Sequence, residues 1–192
     1  MGRPREFDEN TALDGAVDRF WQHGFAATSV RDLAAEMGIS CTSLYNAFGD
    51  KRALFLRALE RYLDRSMRPR IERYERASTP KTAIRGFIEE IIRRSLDGER
   101  RGCFLVNSAL EIAPRDAAIG KVIAERLSEL EGFFRRCVTA GQHDGSITRN
   151  RDAADLARLL LGVVLGIRVL ARAKPERALL EGVARPALAL LE

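Results

Sequence analysis

Three cysteines and two histidines are the side chains of this 192-residue chain that could support nucleophilic catalysis or metal binding. Cys41, Cys103 and Cys137 show no zinc-ligand spacing with one another or with His23 and His143. A cysteine nucleophile also needs a base and an orienting partner, and no motif brings either histidine near Cys103. An odd number of cysteines leaves one outside any disulfide and favours a reducing compartment. The sequence therefore predicts no metal, no other cofactor and no catalytic residue, with a Cys103-dependent enzyme as a weak alternative.

A second group of polar side chains has the chemistry for binding DNA. Four of them lie at outward positions of a short helix predicted over residues 41–48: Thr42, Ser43, Tyr45 and Asn46. Such groups can reach base edges and phosphates in a major groove. An apolar pattern predicts another short helix over residues 30–37, and Gly38-Ile39-Ser40 predicts the turn between the two. This arrangement is typical of a helix-turn-helix whose second helix reads DNA.

Apolar residues recur with helical periodicity along the whole chain, and no alternating segment indicates a strand. The predicted fold class is therefore all-α. Residues 1–51 form the predicted DNA-binding domain, and residues 51–75 form a long connecting helix. A boundary at Ser78-Thr79-Pro80 opens a C-terminal domain over residues 78–192. Within that domain, the Gly-Gln-His-Asp-Gly sequence at residues 141–145 predicts a turn between helices.

The residues around the predicted turn also carry a family signature. Between Thr28 and Phe55 the chain reads TSVRDLA, then GIS, then SLYNAFGDKRALF. In this register the segment resembles the helix-turn-helix of the TetR/AcrR transcriptional repressors. The resemblance is strong over residues 7–60 and rests on length and helix count beyond them. It implies a nine-helix homodimer that binds palindromic double-stranded operator DNA and a small inducer.

The resemblance also implies roles for individual residues in DNA binding. Tyr45 and Lys51 resemble phosphate contacts, and Thr28 or Ser29 resembles a backbone contact at the preceding helix start. The polar residues of the second helix are the candidate base contacts. Cys41 departs from the family, since relatives often carry a basic residue or proline there, and its base preference stays open. The predicted DNA-binding set is Arg3, Arg5, Thr28, Ser29, Arg31, Ser40, Cys41, Thr42, Ser43, Tyr45, Asn46 and Lys51.

The charge of the DNA-binding region is unusual for a DNA-binding protein. Residues 1–51 hold five basic residues against eight acidic ones, although the whole chain carries a net charge of +5. Affinity for phosphate must then come from individually placed cations and helix N-termini rather than from a generally basic domain. We therefore expect DNA affinity to depend only modestly on salt concentration.

The apolar and aromatic content of the C-terminal domain predicts a largely hydrophobic pocket for a small hydrophobic or electrophilic inducer. The predicted lining is Phe87, Ile91, Cys103, Phe104, Asn107, Ser108, Glu111, Phe133, Phe134 and Cys137. Cys103 follows an arginine-rich segment at a predicted helix start, where a thiolate would be stabilised. It is therefore either a redox or electrophile sensor or a small buried hydrophobic residue. Cys137 lies on an apolar stripe, which is typical of an inert packing residue.

The last two predicted helices, about residues 152–172 and 175–191, are too apolar for a solvated surface and predict a four-helix dimer interface. The predicted interface residues are Leu156, Leu160, Gly162, Val163, Gly166, Ile167, Leu180, Val183, Ala187 and Leu191. Gly162 and Gly166 lie four residues apart and permit close approach of another helix. The same glycines are also compatible with packing inside one chain.

The sequence gives no indication of a membrane protein. Its longest apolar run, residues 159–167, is about half of the roughly 20 residues needed to span a bilayer, and the N-terminus lacks an apolar signal segment. We therefore expect a cytoplasmic protein. The alternative function is a helical DNA-binding activator or adaptor that no ligand releases. The inducer, the operator sequence and the regulated genes do not follow from the sequence.

Overall fold

The structure is built from helices joined by short loops. A computed structural model describes residues 7–77, 79–97 and 101–192, so the predicted contacts Arg3 and Arg5 lie outside the described residues. The helices are α1 (Glu9–His23), α2 (Val30–Glu36), α3 (Cys41–Phe48), α4 (Lys51–Ala77), α5 (Pro80–Leu96), α6 (Phe104–Glu111), α7 (Ala117–Asp144), α8 (Ala153–Ala173) and α9 (Arg177–Ala189). This part of the chain contains no strand, which confirms the all-α prediction. None of its helices combines the length and apolar character that crossing a bilayer requires.

Side-chain caps determine where the first three helices begin. Asp8 caps α1 through a hydrogen bond of 2.6 Å from a first-turn amide. Ser29 and Asp32 bond reciprocally at the start of α2, and Ser40 accepts a bond of 3.0 Å from the Ser43 amide at the start of α3. Each cap satisfies a backbone amide that the first helical turn leaves without a partner. The caps at Ser29 and Ser40 thus fix where the two helices of the helix-turn-helix begin.

Helix α4 belongs to both halves of the molecule, because it packs against α1 and α3 and also against α5, α6 and α7. The ring of Phe55 on α4 meets the ring of Phe20 on α1 edge-on, with centroids 5.2 Å apart. The same ring meets Phe104 on α6 at 5.5 Å. All three side chains are buried, and edge-to-face pairs of this kind add to the stabilisation from burial. One continuous core therefore joins the helix-turn-helix to the C-terminal helices.

Helix α7 runs through the segment where the sequence predicts a turn. Gly141, Gln142 and His143 are helical, and the helix ends at Asp144, before Gly145. Gly141 is buried against Ile147, whose side-chain atoms would lie 2.6 Å from a Cβ at position 141. The turn predicted for residues 141–145 is therefore wrong. Gly141 serves close packing inside a helix, and only Gly145, with φ 82°, ends it.

The carboxylate of Glu90 on α5 is buried among basic side chains of α4 and α5. Its side chain is 5% exposed, and the 6%-exposed Arg70 donates to it from Nε at 3.1 Å. Arg94 and the Tyr74 hydroxyl donate to the same carboxylate at 2.9 and 3.1 Å, and Arg73 also pairs with it. Burial alone would raise the pKa of Glu90, but these hydrogen bonds and positive charges lower it. Three guanidinium groups therefore share one ionised carboxylate.

Replacing this carboxylate should destabilise the fold. We expect Glu90→Gln to lower the free energy of unfolding by about 3 kcal/mol, because Arg70 would stay buried without a counterion. The difference from wild type should shrink as the pH falls through the lowered pKa, since the ionised form supplies the stabilisation. Urea unfolding at several pH values measures both effects. Glu89→Gln, an exposed change on the same helix, is the control. Equal free energies of unfolding for the two variants would contradict the role of Glu90.

Candidate nucleic-acid interface and ligand cavity

Helix α3 presents its predicted recognition side chains on an exposed face. Tyr45 is 51% exposed, and Thr42 and Asn46 are also exposed. Two further predicted residues at the start of the helix are half-buried: Cys41 and Ser43. Leu44 and Phe48 are buried and hold the opposite face of the helix against the core. This division of faces is what a helix lying in a major groove requires.

Other predicted contact residues are engaged in hydrogen bonds within the protein. The hydroxyl groups of Ser29 and Ser40 cap α2 and α3. Thr28 is 1% exposed, and its hydroxyl donates to the carbonyl oxygen of Gly24 at 2.6 Å. Of the two residues considered for the backbone contact, Ser29 therefore lies at the surface and Thr28 does not. Arg31, in the first turn of α2, is exposed.

Lys51, at the start of α4, packs against an aromatic ring. Its ammonium group lies 4.3 Å from the centroid of the Phe25 ring, a distance typical of a cation–π contact. Burial lowers the pKa of Lys51, and the nearby negative charge of Glu111 opposes that shift. The predicted phosphate contact is therefore a half-buried cation held where the loop after α1 meets α4.

The side chain of Glu111, at the end of α6, binds the loop that precedes α2. Its carboxylate oxygens accept hydrogen bonds from the backbone amides of Phe25 at 3.1 Å and Ala26 at 2.8 Å. Gly24 permits this approach, because a Cβ there would lie 2.5 Å from a carboxylate oxygen and its φ is 81°. The sequence assigns Glu111 to the inducer pocket. In the structure it joins the C-terminal helices to the helix-turn-helix.

A cavity of about 400 Å³ opens where the end of α1 and the middle of α4 meet the C-terminal helices. This space, the arginine cavity, is lined by Trp21, Tyr62, Ser66, Arg70, Arg94, Ser95, Arg101, Gly102, Arg168, Ala171 and Arg172. Residues of α1, α4, α5 and α8 contribute, together with the segment that precedes α6. Every charged side chain in the lining is an arginine, whereas the sequence predicts a largely hydrophobic pocket. The aromatic rings of Trp21 and Tyr62 belong to residues that also line it.

The pocket residues predicted from the sequence lie in three different places. Three of them border a narrow space of about 30 Å³ beside the arginine cavity: Phe87, Ile91 and Cys103. Four border a groove of about 310 Å³ between α1 and α6: Phe104, Asn107, Ser108 and Glu111. The other three are buried away from these spaces: Phe133, Phe134 and Cys137. The rings of Phe133 and Phe134 lie 5.0 and 5.6 Å from that of Phe87, so these aromatics fill the core rather than line a cavity.

Cys103 and Cys137 have different surroundings. Cys103 is the half-buried N-cap residue of α6, and the Tyr62 hydroxyl donates to its Sγ at 3.7 Å. Burial raises the pKa of Tyr62, so that hydroxyl stays protonated and remains a donor. Burial also raises the pKa of the Cys137 thiol to about 12, which suppresses its thiolate form. Within the described residues, no three His, Cys, Asp or Glu side chains are grouped to hold a metal ion.

The cationic residues of the cavity are absent from the pocket predicted from the sequence. Arg168 and Arg172 are one helical turn apart and follow the long apolar run of α8, so their guanidinium groups lie on the same side of the helix. This pair is the available signal, because charged residues that interrupt an apolar face need a polar environment. The remaining lining residues come from distant segments, and nothing local in the sequence connects them.

Comparison with known proteins identifies relatives over most of the chain. Residues 12–58 match the tetR family of bacterial regulatory proteins, and residues 80–186 match the tetracyclin repressor-like C-terminal domain. The chain is 34% identical over 162 residues to the uncharacterized HTH-type transcriptional regulator YezE of Bacillus subtilis, covering 83% of this chain and 84% of that relative. It is 30% identical over 173 residues to the HTH-type transcriptional repressor ComR of Escherichia coli, covering 89% and 82%.

A solved structure agrees with these matches. A cysteine mutant of the TetR family transcriptional regulator CifR, complexed with 26-base-pair double-strand operator DNA, has a TM-score of 0.88 and 32% identity over 100% of both chains. The two matched domains cover both halves of this chain, and the relative at 34% identity is matched over more than two thirds of its length. The resemblance read from the helix-turn-helix is thereby confirmed. The chain belongs to the TetR family of DNA-binding transcriptional regulators.

Proposed function

We propose that this protein is a cytoplasmic, homodimeric repressor that binds a palindromic operator and leaves it when a small inducer occupies the arginine cavity. The observation that carries the proposal is the composition of the cavity wall, which joins Trp21 of α1 to Arg168 and Arg172 of α8. A ligand there touches the DNA-binding half and the C-terminal half at once. Relatives named as repressors, such as ComR, favour repression over activation.

Base recognition is assigned to the exposed polar side chains of α3. Asn46 and Thr42 reach base edges, and the exposed hydroxyl of Tyr45 donates to a phosphate. Arg31 and the N-terminal ends of α2 and α3 bind the DNA backbone. Such contacts compensate for the acidic excess of residues 1–51.

Helix α6 carries the signal from the cavity to the DNA-binding face. Its first residue follows Cys103, beside the cavity, and its last residue, Glu111, holds the loop before α2. A rigid helix of eight residues spans about 12 Å, so a displacement at one end is transmitted to the other. A coupling of about 3 kcal/mol would change operator affinity on the order of 100-fold.

The chemistry of the cavity fits an inducer with a hydrophobic body. The rings of Trp21 and Tyr62 offer apolar surface to such a ligand. An electrophilic inducer would instead modify Cys103, whose narrow space shares Tyr62, Ser66, Arg70 and Arg168 with the arginine cavity. The added volume would displace the N-terminus of α6 from Tyr62.

The proposed dimer interface is the apolar surface that α8 and α9 leave exposed. Several interface residues predicted from the sequence are buried inside the protomer: Leu156, Leu160, Val163, Ile167, Leu180, Ala187 and Leu191. Leu159, Gly162, Gly166 and Val169 form a separate stripe at helical spacing, with Leu159 40% and Val169 45% exposed. A Cβ at Gly162, Gly166 or Gly182 would meet no atom of the protomer within 4 Å apart from the adjacent backbone of its own helix. Open space over small residues suits the close approach of a second copy's helices.

Substitutions on α3 should separate affinity from selectivity. We expect Tyr45→Phe to weaken binding to all DNA sequences by about fivefold, because it removes a hydroxyl that contacts phosphate. Asn46→Ala and Thr42→Ala should change the preference between sequences, at a cost of about 1–3 kcal/mol on the best site. Binding to a degenerate DNA library measures both quantities. Thr139→Ala, at an exposed position on α7, is the control. If Asn46→Ala and Thr42→Ala both kept the wild-type preference between sequences, the assignment of base recognition to α3 would be refuted.

Breaking the Glu111 contact should loosen the loop before α2. We expect Glu111→Gln to weaken operator binding about tenfold, because an amide cannot accept both backbone hydrogen bonds as a carboxylate does. Amide hydrogen exchange at Phe25 and Ala26 should be faster in the variant. Fluorescence anisotropy and exchange mass spectrometry measure the two effects. The control is Glu125→Gln, an exposed change on α7, and unchanged exchange in Glu111→Gln would disprove this link.

A bulky side chain in the glycine stripe should separate the protomers. Gly166→Leu has open space within its own chain, so the protomer should fold normally while the dimer dissociates at low micromolar concentration. Analytical ultracentrifugation measures the association, and circular dichroism checks the fold. Ala124→Leu, an exposed change on α7, should leave the dimer intact. A Gly166→Leu protein that stays dimeric at that concentration would rule out this interface.

A further inference from the structure

The lining of the arginine cavity carries more positive charge than its neighbours balance. It contains five arginines and no acidic residue. Arg70 and Arg94 share the Glu90 carboxylate with Arg73, and Arg101 pairs with Asp18 at 3.1 Å. Arg168 donates to the hydroxyl of Ser95 at 3.1 Å, which supplies no charge. Within the described residues, neither Arg168 nor Arg172 forms an ion pair.

The crowding of these cations is itself unfavourable. Burial lowers the pKa of Arg70, and the positive charges of Arg168 and Arg94 lower it further, against the opposing effect of Glu90. Like charges held together in a partly enclosed space raise the free energy of the protein unless an anion joins them. An anion that enters the cavity therefore gains attraction and also relieves this repulsion.

A buried donor adds a second, independent indication of a ligand. The indole Nε1 of Trp21 is shielded from solvent and has no hydrogen-bond acceptor among the described residues. Burying a donor without a partner is costly, and such groups in native structures usually meet water or a ligand. The Arg101 guanidinium lies 5.6 Å from the centroid of the same indole ring. Trp21 and the cations thus line the same cavity.

We propose that the arginine cavity binds a small carboxylate with an apolar body, whose carboxylate group pairs with Arg168 and Arg172 and whose body lies against Trp21 and Tyr62. Guanidinium groups bind carboxylates through two parallel hydrogen bonds, which gives this pairing its strength and orientation. The aromatic walls account for the apolar body. The inference rests on the proposed function only where it identifies this carboxylate as the inducer.

Isothermal titration calorimetry with matched pairs of compounds tests the charge requirement. The probes are benzoate, 2-naphthoate and octanoate, each compared with its neutral amide. At least one carboxylate should bind to the full-length protein about tenfold or more tightly than its amide. Trp21 is the single tryptophan of the chain and reports on this cavity through its fluorescence. Octanoate does not absorb light where tryptophan does, so its binding should also change the tryptophan fluorescence. If none of the three carboxylates binds better than its amide, the proposal is overturned.

Substitutions on α8 test the site. Arg168→Gln and Arg172→Gln should each weaken carboxylate binding about tenfold or more. Arg158→Gln, which changes an arginine of the same helix outside the cavity, should bind like wild type. Circular dichroism confirms that each variant is folded, and two separate variants guard against the failure of either one. Equal affinity of all three variants would overturn the assignment.

Operator binding distinguishes this site from the regulatory role. The same protein preparations are assayed on an operator selected from the degenerate library, with and without the carboxylate that binds best. Release from the operator in wild type, but not in Arg168→Gln, supports both proposals. Carboxylate binding without release supports the site and counts against its role as the inducer site. If the unliganded wild-type protein selected no DNA sequence from the library, the proposed function would be refuted, and the calorimetric evidence for the carboxylate site would be unaffected.

Discussion

The Glu111 carboxylate is the interaction on which the arrangement of the two halves depends. It accepts two backbone hydrogen bonds from the loop before α2, so α6 and the helix-turn-helix cannot move independently without exposing or orphaning those amides. The contact exists only because Gly24 has no side chain and adopts a positive φ. Phe55 reinforces the same junction by packing against rings from both halves. The position of the recognition helix is thus tied to the position of α6.

The distribution of charge opposes the simplest picture of a basic DNA-binding domain. Residues 1–51 hold an excess of three acidic residues, so the remaining 27 basic and 19 acidic residues carry the positive charge of the chain. Several of these arginines pair with Glu90 or line the arginine cavity. Part of the positive charge therefore lies where a small anion could enter.

The starts of individual helices could be predicted from the sequence, whereas contacts between distant residues could not. Ser29 and Ser40 each precede an apolar helical pattern, and each caps the helix that follows it. The starts of α2 and α3 could therefore be predicted from the sequence. In the sequence, Gly141 is typical of a turn. The helix needs a glycine there because the fold brings Ile147 against it, and the sequence pattern does not show that contact. Phe133 is equally suited to a pocket or a core, and contact with Phe87 decides between them. The cavity arginines come from distant segments and meet only in the folded chain.

In the proposed homodimer, the acidic character of the DNA-binding region would give dimerisation a direct effect on regulation. A single recognition helix with few cations would bind DNA weakly, and the proposed dimer would supply the affinity through two helices acting together. Two linked contacts bind strongly only while their separation matches the spacing of the half-sites. In that proposed dimer, a displacement of α6 that reaches the loop through Glu111 would alter the separation without altering any base contact. A weak intrinsic affinity of each half would therefore make operator binding by the proposed dimer sensitive to small movements at the cavity.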